Sequence, residues 1–255
     1  MSEIVTLQRH GAVAVLTMCQ AEKRNALSTE LNDALTAQLA MIQSDHSVRS
    51  VVLTGGRHFC AGGSLDTLKT KGLAMRADMR QGHQLLRLIN AGRVPVVAAV
   101  EGAAFGAGLS LAAICDFVVA DSKTKFGAVY GKVGIMPDWG VLWVLPQRMG
   151  LGRTRELTML SQIWGGREAK EAGLVDILAE DGQVLAKAME RAELLAQAAP
   201  GALSAAKAAL ARFPQSLDVM LDWEADTQAL LIASDDFAEG RDSFFEKRAA
   251  KFSGL

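Results

Sequence analysis

Two apolar runs, each followed by a glycine-rich turn, constrain the fold of this chain more than any other feature. Residues 48–54 are rich in β-branched side chains and are followed by Gly55-Gly56, and residues 94–100 are followed by Gly102. Strands that are apolar along their whole length are typical of a sheet covered on both faces. The segment 74–91 between them has a helical pattern. Alternating strands and helices predict right-handed crossovers and a mostly parallel sheet, so we expect an α/β fold.

Weaker signals extend this sheet in both directions. The β-rich runs 4–7 and 12–18 flank His10-Gly11 and predict a hairpin. Residues 117–120 predict a further buried strand, and residues 106–113 predict a helix before it. The hairpin adds an antiparallel pair to a sheet that is otherwise expected to be parallel.

The composition changes after Gly150, where Ala, Leu, Glu, Lys and Arg become dominant. A short β-like run lies at residues 175–179. Helical patterns follow at residues 184–198, 201–212, 216–232 and 235–248. We divide the chain into an α/β core at residues 1–190 and a helical C-terminal region at residues 191–255. The C-terminal region has enough apolar residues to pack on the core or on a neighbouring subunit.

The composition of the 255-residue chain limits the classes of function that we consider. Half of the residues are hydrophobic and 22% are charged, which is typical of a globular protein of one large domain. The net charge is -1 and the basic residues are scattered. We therefore expect neither a nucleic-acid partner nor a membrane surface.

Cysteine and histidine usage argues against a disulfide framework and against a metal site. The three cysteines, Cys19, Cys60 and Cys115, form no CxxC pair, and the four histidines show no HxxH or HExxH spacing. The sequence also shows no signal peptide and no apolar run of about 18 residues. We predict a cytoplasmic protein from a reducing compartment, without a bound metal.

The two glycine-rich turns are the first candidates for chemistry. Residues 58–63 follow the first apolar run, and residues 101–108 follow the second. Each turn alone is consistent with a tight bend that needs glycine for its dihedral angles. At the carboxyl ends of parallel strands in one sheet, the two turns together predict a ligand site in which two backbone N–H groups bind one oxygen.

A single acid, Asp138, lies downstream of these turns in the run 133–140. One carboxylate beside two convergent N–H donors indicates proton transfer next to a polarised carbonyl group. Asp138 also follows Pro137, and an aspartate in such a position commonly caps the first turn of a helix, which stabilises it by about 1 kcal/mol. The local sequence leaves both interpretations open.

Motifs along nearly the whole chain resemble those of a known family in their order and spacing. They lie at residues 23–27, 59–63, 99–108, 115–117, 125–127, 134–137, 169–176 and 244–248. In these motifs the chain resembles the enoyl-CoA hydratase/isomerase (crotonase) superfamily. The run 131–138 is similar to that of the Δ3,Δ2-enoyl-CoA and phenylacetate-pathway isomerases.

The resemblance implies a fold, a substrate class and an assembly. The fold is a spiral of β-β-α units, with C-terminal helices that build a homotrimer or a dimer of trimers. The substrates are acyl-CoA thioesters, so coenzyme A is part of the substrate and no separate cofactor is expected. The resemblance also assigns the two oxyanion-hole N–H groups to Gly63 and Ala107. These groups hold the thioester carbonyl and stabilise the enolate that forms when an α proton leaves.

At two positions the chain departs from the hydratases of this family. They carry one glutamate after the second glycine turn and another after the next Phe-Gly pair, and here these positions are Ser110 and Tyr130. Hydration requires one group that activates water and one that delivers a proton. The isomerases have an acid at the position of Asp138, and a related aryl-CoA dehalogenase uses an aspartate there as a nucleophile. Because an isomerase returns the proton that it removes, one base is sufficient.

The resemblance further implies contacts with the coenzyme and the acyl group. The implied coenzyme A contacts are Lys23, Ala26, Ala61, Ser64, Leu65 and, from a neighbouring subunit, Phe244 and Lys247. The implied walls of the acyl pocket are the loop 68–84 and the side chains of His83, Arg87, Tyr130 and Trp139. An exposed lysine, a solvated helix face or core packing is the alternative interpretation of these side chains. The run 139–141 departs from the small-Gly-Gly pattern that is usual in the family.

We therefore expect an isomerase that shifts a double bond or rearranges a ring in an acyl-CoA, with Asp138 as its single proton shuttle. Hydration or hydrolysis, with Asp138 activating water, is the alternative among enzymes. A catalytically inactive acyl-CoA-binding protein, in which Asp138 only caps a helix, is the alternative outside them.

Overall fold

The computed structural model describes residues 3–67 and 71–254. Residues 68–70, part of the loop expected to shape the acyl pocket, lie outside the described residues. The strands are β1 (Val5–His10), β2 (Val13–Met18), β3 (Ser50–Thr54), β4 (Val96–Val100), β5 (Ala103–Phe105), β6 (Phe117–Asp121), β7 (Lys125–Gly127), β8 (Ile163–Gly165) and β9 (Ile177–Ala179). The α-helices are α1 (Thr29–Ser44), α2 (Gly72–Ala91), α3 (Ala107–Ala113), α4 (Val141–Met159), α5 (Gly166–Ala172), α6 (Val184–Ala196), α7 (Pro200–Leu210), α8 (Leu217–Ile232) and α9 (Asp235–Glu246).

The larger sheet has the strand order β1-β2-β3-β4-β6-β9. Its first pair is an antiparallel hairpin and the following pairs are parallel, with Val51 of β3 beside Val96 of β4. Every residue of β3 and β4 is buried, as unbroken apolar runs predict. The hairpin, the parallel sheet and the four C-terminal helices are confirmed, and the observed ends of these helices lie within two residues of the predicted ones.

A second sheet, with the order β5-β7-β8, is not indicated by the sequence pattern. Each of its strands has three residues, which is too few for an alternating pattern to appear. Backbone bridges between Cys60 and Ala104 and between Leu27 and Gly63 extend its pairing toward the first glycine turn. One strand from each sheet followed by a helix, as in β4-β5-α3, is the expected β-β-α unit of the spiral.

The helix α6 covers one face of the larger sheet. Its small side chains at Ala188, Ala192 and Ala196, together with Val184, pack against valines and alanines of β2, β3, β4 and β6. Side chains of this size at helical spacing let a helix lie close to a sheet. Because α6 is continuous from Val184 to Ala196, the predicted division of the chain at residues 190 and 191 falls inside one helix.

The C-terminal helices differ in how they join the core. On α7 the Lys207 ammonium is buried, donates to the Val94 carbonyl at 3.0 Å and forms an ion pair with Asp116. The helix α8, which the structure describes throughout, contains no buried residue. Its large exposed apolar side chains are Leu217, Val219, Leu221, Leu230 and Ile232. That this region serves for oligomerisation stays a prediction.

Candidate active site

The two glycine turns lie side by side. The Cys60 N–H donates to the Ala103 carbonyl at 3.0 Å, and the Phe105 N–H donates to the Cys60 carbonyl at 3.1 Å. Gly62 has a φ of +112°, and a Cβ atom added there would lie 3.0 Å from the Phe105 carbonyl oxygen. Gly106 has a φ of +50°, a positive value that glycine adopts without the steric cost that a side chain would bring. Strand-like pairing thus brings the turns together, and the glycines permit their close approach.

Two backbone N–H groups of these turns are available to a ligand. Within the described residues, neither the N–H of Gly63 nor that of Ala107 donates a hydrogen bond. On either side of Gly63, the Gly62 carbonyl accepts from the Leu27 N–H at 2.7 Å, and the Ser64 N–H donates to the Leu27 carbonyl at 3.1 Å. Ala107 is the first residue of α3, where an N–H has no intrahelical acceptor. Both residues line the same cleft. The geometry is therefore suited to two donors that bind one oxygen.

The cleft has a volume of about 280 Å³, close to the lower end of the range of small-molecule sites, about 300–1,000 Å³. Most of its wall is apolar. The sequence-predicted residues that line it are Ala61, Gly63, Ser64, Leu65, Ala107, Tyr130, Asp138 and Trp139. The structure thus brings the predicted acid, the predicted N–H donors and part of the predicted coenzyme site into one cleft.

The segment 68–84, which the resemblance implies as a wall of the acyl pocket, belongs from Gly72 onward to α2, and part of it lines the cleft. The helix α2 contributes Met75, Asp78, Met79 and Gly82, whose spacing of three and four residues places them on one face. Asp33 of α1 and Asp78 are two further carboxylates of the cleft, and both are exposed. The apolar periodicity of α2 was available in the sequence, but only the fold shows which of its faces meets the glycine turns.

Asp138 is a half-buried acid whose carboxylate lacks strong partners. Its Oδ1 atom is buried and, within the described residues, has no hydrogen-bond partner. Burial raises the pKa of Asp138 to about 6, and a hydrogen bond from Tyr130 partly offsets this rise. A carboxylate with this pKa is ionised at neutral pH and remains a competent proton acceptor.

The interpretation of Asp138 as a helix cap is wrong. The helix α4 begins at Val141, and its N-cap residue is Gly140 with a φ of +74°. A true cap in this protein is Ser28, whose Oγ accepts a hydrogen bond from the Leu31 N–H at the start of α1. The backbone at Trp139 and Gly140 turns the chain before the helix begins, so the Asp138 side chain points to the cleft instead of the helix terminus.

Ser110 and Tyr130, which stand where hydratases of the family have glutamates, hydrogen-bond to each other. Their oxygens are 2.8 Å apart, and Ser110 Oγ donates to the Asp138 carbonyl at 3.1 Å. Both side chains are buried. Burial raises the pKa of Tyr130 above its ordinary value, so its hydroxyl stays neutral and keeps its proton at physiological pH.

Trp139 has an uncommon backbone conformation beside the acid. Its φ is +54°, a region that costs a bulky residue about 1–3 kcal/mol and that concentrates at functional sites. The indole ring packs over Gly82, where an added Cβ atom would lie 3.4 Å from it, and makes an edge contact with His83 at 6.4 Å between ring centroids. Trp139 therefore forms part of the cleft wall, supported by α2.

Two residues that the resemblance placed in the acyl pocket are not on the cleft wall. His83 lies behind Trp139, and burial together with the Arg87 charge lowers its pKa. Arg87 is exposed, one turn further along α2. Since Gly82 faces the cleft, the next residue is rotated away from it by about 100°. The prediction that His83 and Arg87 line the pocket is corrected by this geometry.

The remaining predicted coenzyme contacts lie outside the cleft. Lys23 is exposed and Ala26 is half-buried, in a segment that pairs with the first glycine turn through the Arg24 carbonyl and the Ala61 N–H at 3.0 Å. Phe244 and Lys247 lie at the exposed end of α9. Their contacts with coenzyme A stay predictions.

Residues 3–67 and 71–254 contain neither a membrane-spanning helix nor a cluster of metal-ligating side chains. No helix of these ranges combines the length and the apolar composition that a bilayer crossing requires. In the same residues, no cluster of three or more His, Cys, Asp or Glu side chains is arranged to hold a metal ion.

The fold is α/β, and its cleft brings the backbone of Gly63 and Ala107 together with the Asp138 carboxylate. The family model for enoyl-CoA hydratase/isomerase matches residues 8–254. In Escherichia coli (strain K12), the 2,3-dehydroadipyl-CoA hydratase is 34% identical and the 1,2-epoxyphenylacetyl-CoA isomerase is 31% identical, each over 100% of both chains. The crystal structure of an enoyl-CoA hydratase from Polaromonas sp. JS666 has a TM-score of 0.92 at 33% identity, covering 97% of this chain and 99% of that one. The chain belongs to the enoyl-CoA hydratase/isomerase family.

Proposed function

We propose that the protein is an acyl-CoA isomerase in which Asp138 is the single proton shuttle. The observation that carries this proposal is the Asp138 carboxylate, half-buried in the cleft, whose Oδ1 atom has no hydrogen-bond partner among the residues that the structure describes. The two positions at which hydratases of the family have glutamates hold Ser110 and Tyr130, and neither side chain is a carboxylate. One base is sufficient for an isomerisation because the proton that leaves one carbon returns to another.

In the proposed reaction, the thioester oxygen accepts hydrogen bonds from the Gly63 and Ala107 N–H groups. The Asp138 carboxylate removes the α proton of a 3-enoyl-CoA, and the electron pair of that C–H bond moves into a dienolate whose charge rests on the thioester oxygen. Asp138 then returns the proton to the γ carbon, which gives the 2-enoyl-CoA and regenerates the carboxylate. Donors placed at the oxygen stabilise the charge that develops there, and each is typically worth about 10²–10³ in rate.

Hydration of a 2-enoyl-CoA is the second candidate, because a relative named 2,3-dehydroadipyl-CoA hydratase is 34% identical over the whole chain. In that reaction Asp138 activates water, and a further group has to deliver a proton to the α carbon. The inactive acyl-CoA-binding protein has less support, since the helix cap on which it rested is not present.

The proposal is tested by incubating the purified protein separately with a 3-enoyl-CoA, a 2-enoyl-CoA and 1,2-epoxyphenylacetyl-CoA and following each by chromatography. We expect isomerised product from the first or the third and no 3-hydroxyacyl-CoA from the second. Formation of 3-hydroxyacyl-CoA would establish hydration instead. Binding of these thioesters without any turnover would favour the inactive binding protein.

The role of Asp138 is tested by Asp138→Asn, which keeps the shape of the side chain and removes its basicity. We expect the rate to fall by about 10²–10⁴. The comparison variant is Asp33→Asn, which removes an exposed carboxylate from the same cleft and is expected to cost far less. If Asp33→Asn had the larger effect, the proton transfer would belong to Asp33.

A further inference from the structure

We propose that Ser110 and Tyr130 are a positioning pair that holds the Asp138 segment against α3. This inference rests on the proposed function, because it concerns the acid of that reaction. The pair occupies the two places where the family's hydratases have glutamates. In this chain those places hold two hydroxyl groups that bond to each other and to the residue that carries the acid.

The geometry joins the two catalytic elements of the cleft. Ser110 lies on α3, three residues after Ala107, whose N–H is one of the predicted donors. Tyr130 lies in a short 3-10 helix, Val129–Val133, that precedes Asp138. Bonds from Ser110 to Tyr130 at 2.8 Å and to the Asp138 carbonyl at 3.1 Å therefore determine how far the acid lies from α3.

A count of protons limits the arrangements that these hydrogen bonds can adopt. The two hydroxyls carry one proton each, while their acceptors are the Asp138 carbonyl, the Asp138 carboxylate, the Gly106 carbonyl at 3.3 Å from Ser110 Oγ, and each other. Ser110 donates either to the Asp138 carbonyl, in which case Tyr130 donates to Ser110 Oγ, or to Tyr130, in which case Tyr130 donates to Asp138. In both arrangements the pair links α3 to the residue that carries the acid.

The backbone of the acid segment requires this support. Trp139 has a φ of +54° and Gly140 a φ of +74°, so two successive residues after Asp138 are left-handed. Such strain persists only where the surrounding structure holds it. The Asp138 carbonyl is held on one side by Ser110 and on the other by the Val141 N–H at 3.1 Å. Removing either hydroxyl leaves a buried polar partner unsatisfied, which is costly.

The titratable groups around Asp138 come from three elements. Tyr130 lies on its own segment, Asp33 on α1 and Asp78 on α2, and His83 of α2 lies behind Trp139. Of these, only Tyr130 combines burial with hydrogen bonding to the Asp138 residue. Loss of the Tyr130 hydroxyl should therefore be visible in the titration of Asp138 itself.

The test uses Ser110→Ala, Tyr130→Phe and the double variant, with Thr158→Val as a control. Thr158 donates to the Thr154 carbonyl within α4, so the control removes a buried hydroxyl remote from the cleft.

The protein is labelled with ¹³C in its aspartate carboxyl groups, and the signal that disappears in Asp138→Asn is titrated without any substrate. We expect its midpoint near 6 in the parent. In Tyr130→Phe it should rise by about one unit, because a hydrogen bond to the charged form is lost; the control should leave it unmoved.

Turnover supplies the second readout. We expect Tyr130→Phe to lower kcat by about tenfold, comparable to one hydrogen bond to a charged group, with a much smaller change in KM. The double variant should cost no more than Tyr130→Phe alone, because the two residues act as one unit. An unshifted Asp138 midpoint in Tyr130→Phe, or additive losses in the double variant, would overturn the positioning role. A shifted midpoint in a protein that turns over no acyl-CoA would support the pair and refute the proposed function.

Discussion

The two walls of the cleft are constructed differently. The oxyanion wall, formed by Gly62, Gly63, Gly106 and Ala107, presents backbone N–H groups, and its glycines allow two turns to touch. The acid wall, formed by Tyr130, Asp138 and Trp139, presents side chains on a strained segment. The backbone site tolerates few side chains at Gly62, because an added Cβ atom would lie 3.0 Å from the Phe105 carbonyl oxygen of the neighbouring turn. A side-chain site can change its chemistry without altering the fold, which explains how one fold accommodates both a glutamate pair and a hydroxyl pair.

On the oxyanion wall, the largest effect is expected from Gly62→Ala. The new Cβ atom would lie 3.0 Å from the Phe105 carbonyl oxygen at a φ of +112°, so the turn that carries Gly63 has to move. Displacing one donor from the oxyanion site should lower kcat by about 10²–10³, measured by steady-state kinetics on the best acyl-CoA substrate.

The matched control for this change is Gly56→Ala. Gly56 also has a positive φ, +59°, but an added Cβ atom would meet no atom within 4 Å, and the residue does not line the cleft. The Gly56→Ala variant should be less stable than the parent, because alanine adopts a positive φ only at a cost, and its kcat should be unchanged. Equal losses of kcat in the two variants would mean that the oxyanion wall has no special sensitivity.

On the acid wall, a smaller effect on stability should accompany Asp138→Asn. The pKa of Asp138 is about 6 in the folded protein against an ordinary value of 3.8. As the pH rises through this window, the unfolded chain releases its proton first, so the parent loses stability between about pH 4 and pH 6 and does not regain it above. Asparagine does not ionise, so the variant should melt a few degrees above the parent at pH 8.

The difference in melting temperature between Asp138→Asn and its parent should vanish below about pH 4, where the acid is protonated in both states. In the parent, kcat/KM should rise with pH through about 6, because the ionised acid is the base. A constant difference at all pH values would show that the acid is not buried in the way that the structure indicates.

The smallest expected effect compares Trp139→Gly with Trp139→Ala. Both remove the indole ring, but only glycine adopts a φ of +54° without cost. The glycine variant should therefore be more stable by about 1 kcal/mol in denaturant unfolding. Both variants should raise kcat/KM for bulky acyl groups relative to short ones, whereas Trp143→Ala, outside the cleft, should not. Equal stability of the two variants would mean that the backbone at Trp139 is not strained.

Much of the fold could be predicted because its signals are local. The runs at β3 and β4 are apolar throughout, and the C-terminal helices have clear periodicity, so their bounds follow from the sequence. The strands β5, β7 and β8 could not be predicted, because three-residue strands owe their conformation to partners distant in sequence. The same limitation applies to Asp33 and Asp78, which reach the cleft only through the packing of α1 and α2.

By itself, the sequence determined the α/β class, the two glycine turns and Asp138 as an acid downstream of them. These features depend on composition, short-range spacing and motif order. Only the tertiary structure decided that Asp138 faces a cleft and caps no helix, that Ser110 and Tyr130 bond to each other, and that His83 and Arg87 lie off the cleft wall. The physical reason is that a side chain's direction depends on backbone dihedral angles and on long-range packing. At Trp139, a left-handed residue in an unexpected place redirects the whole segment.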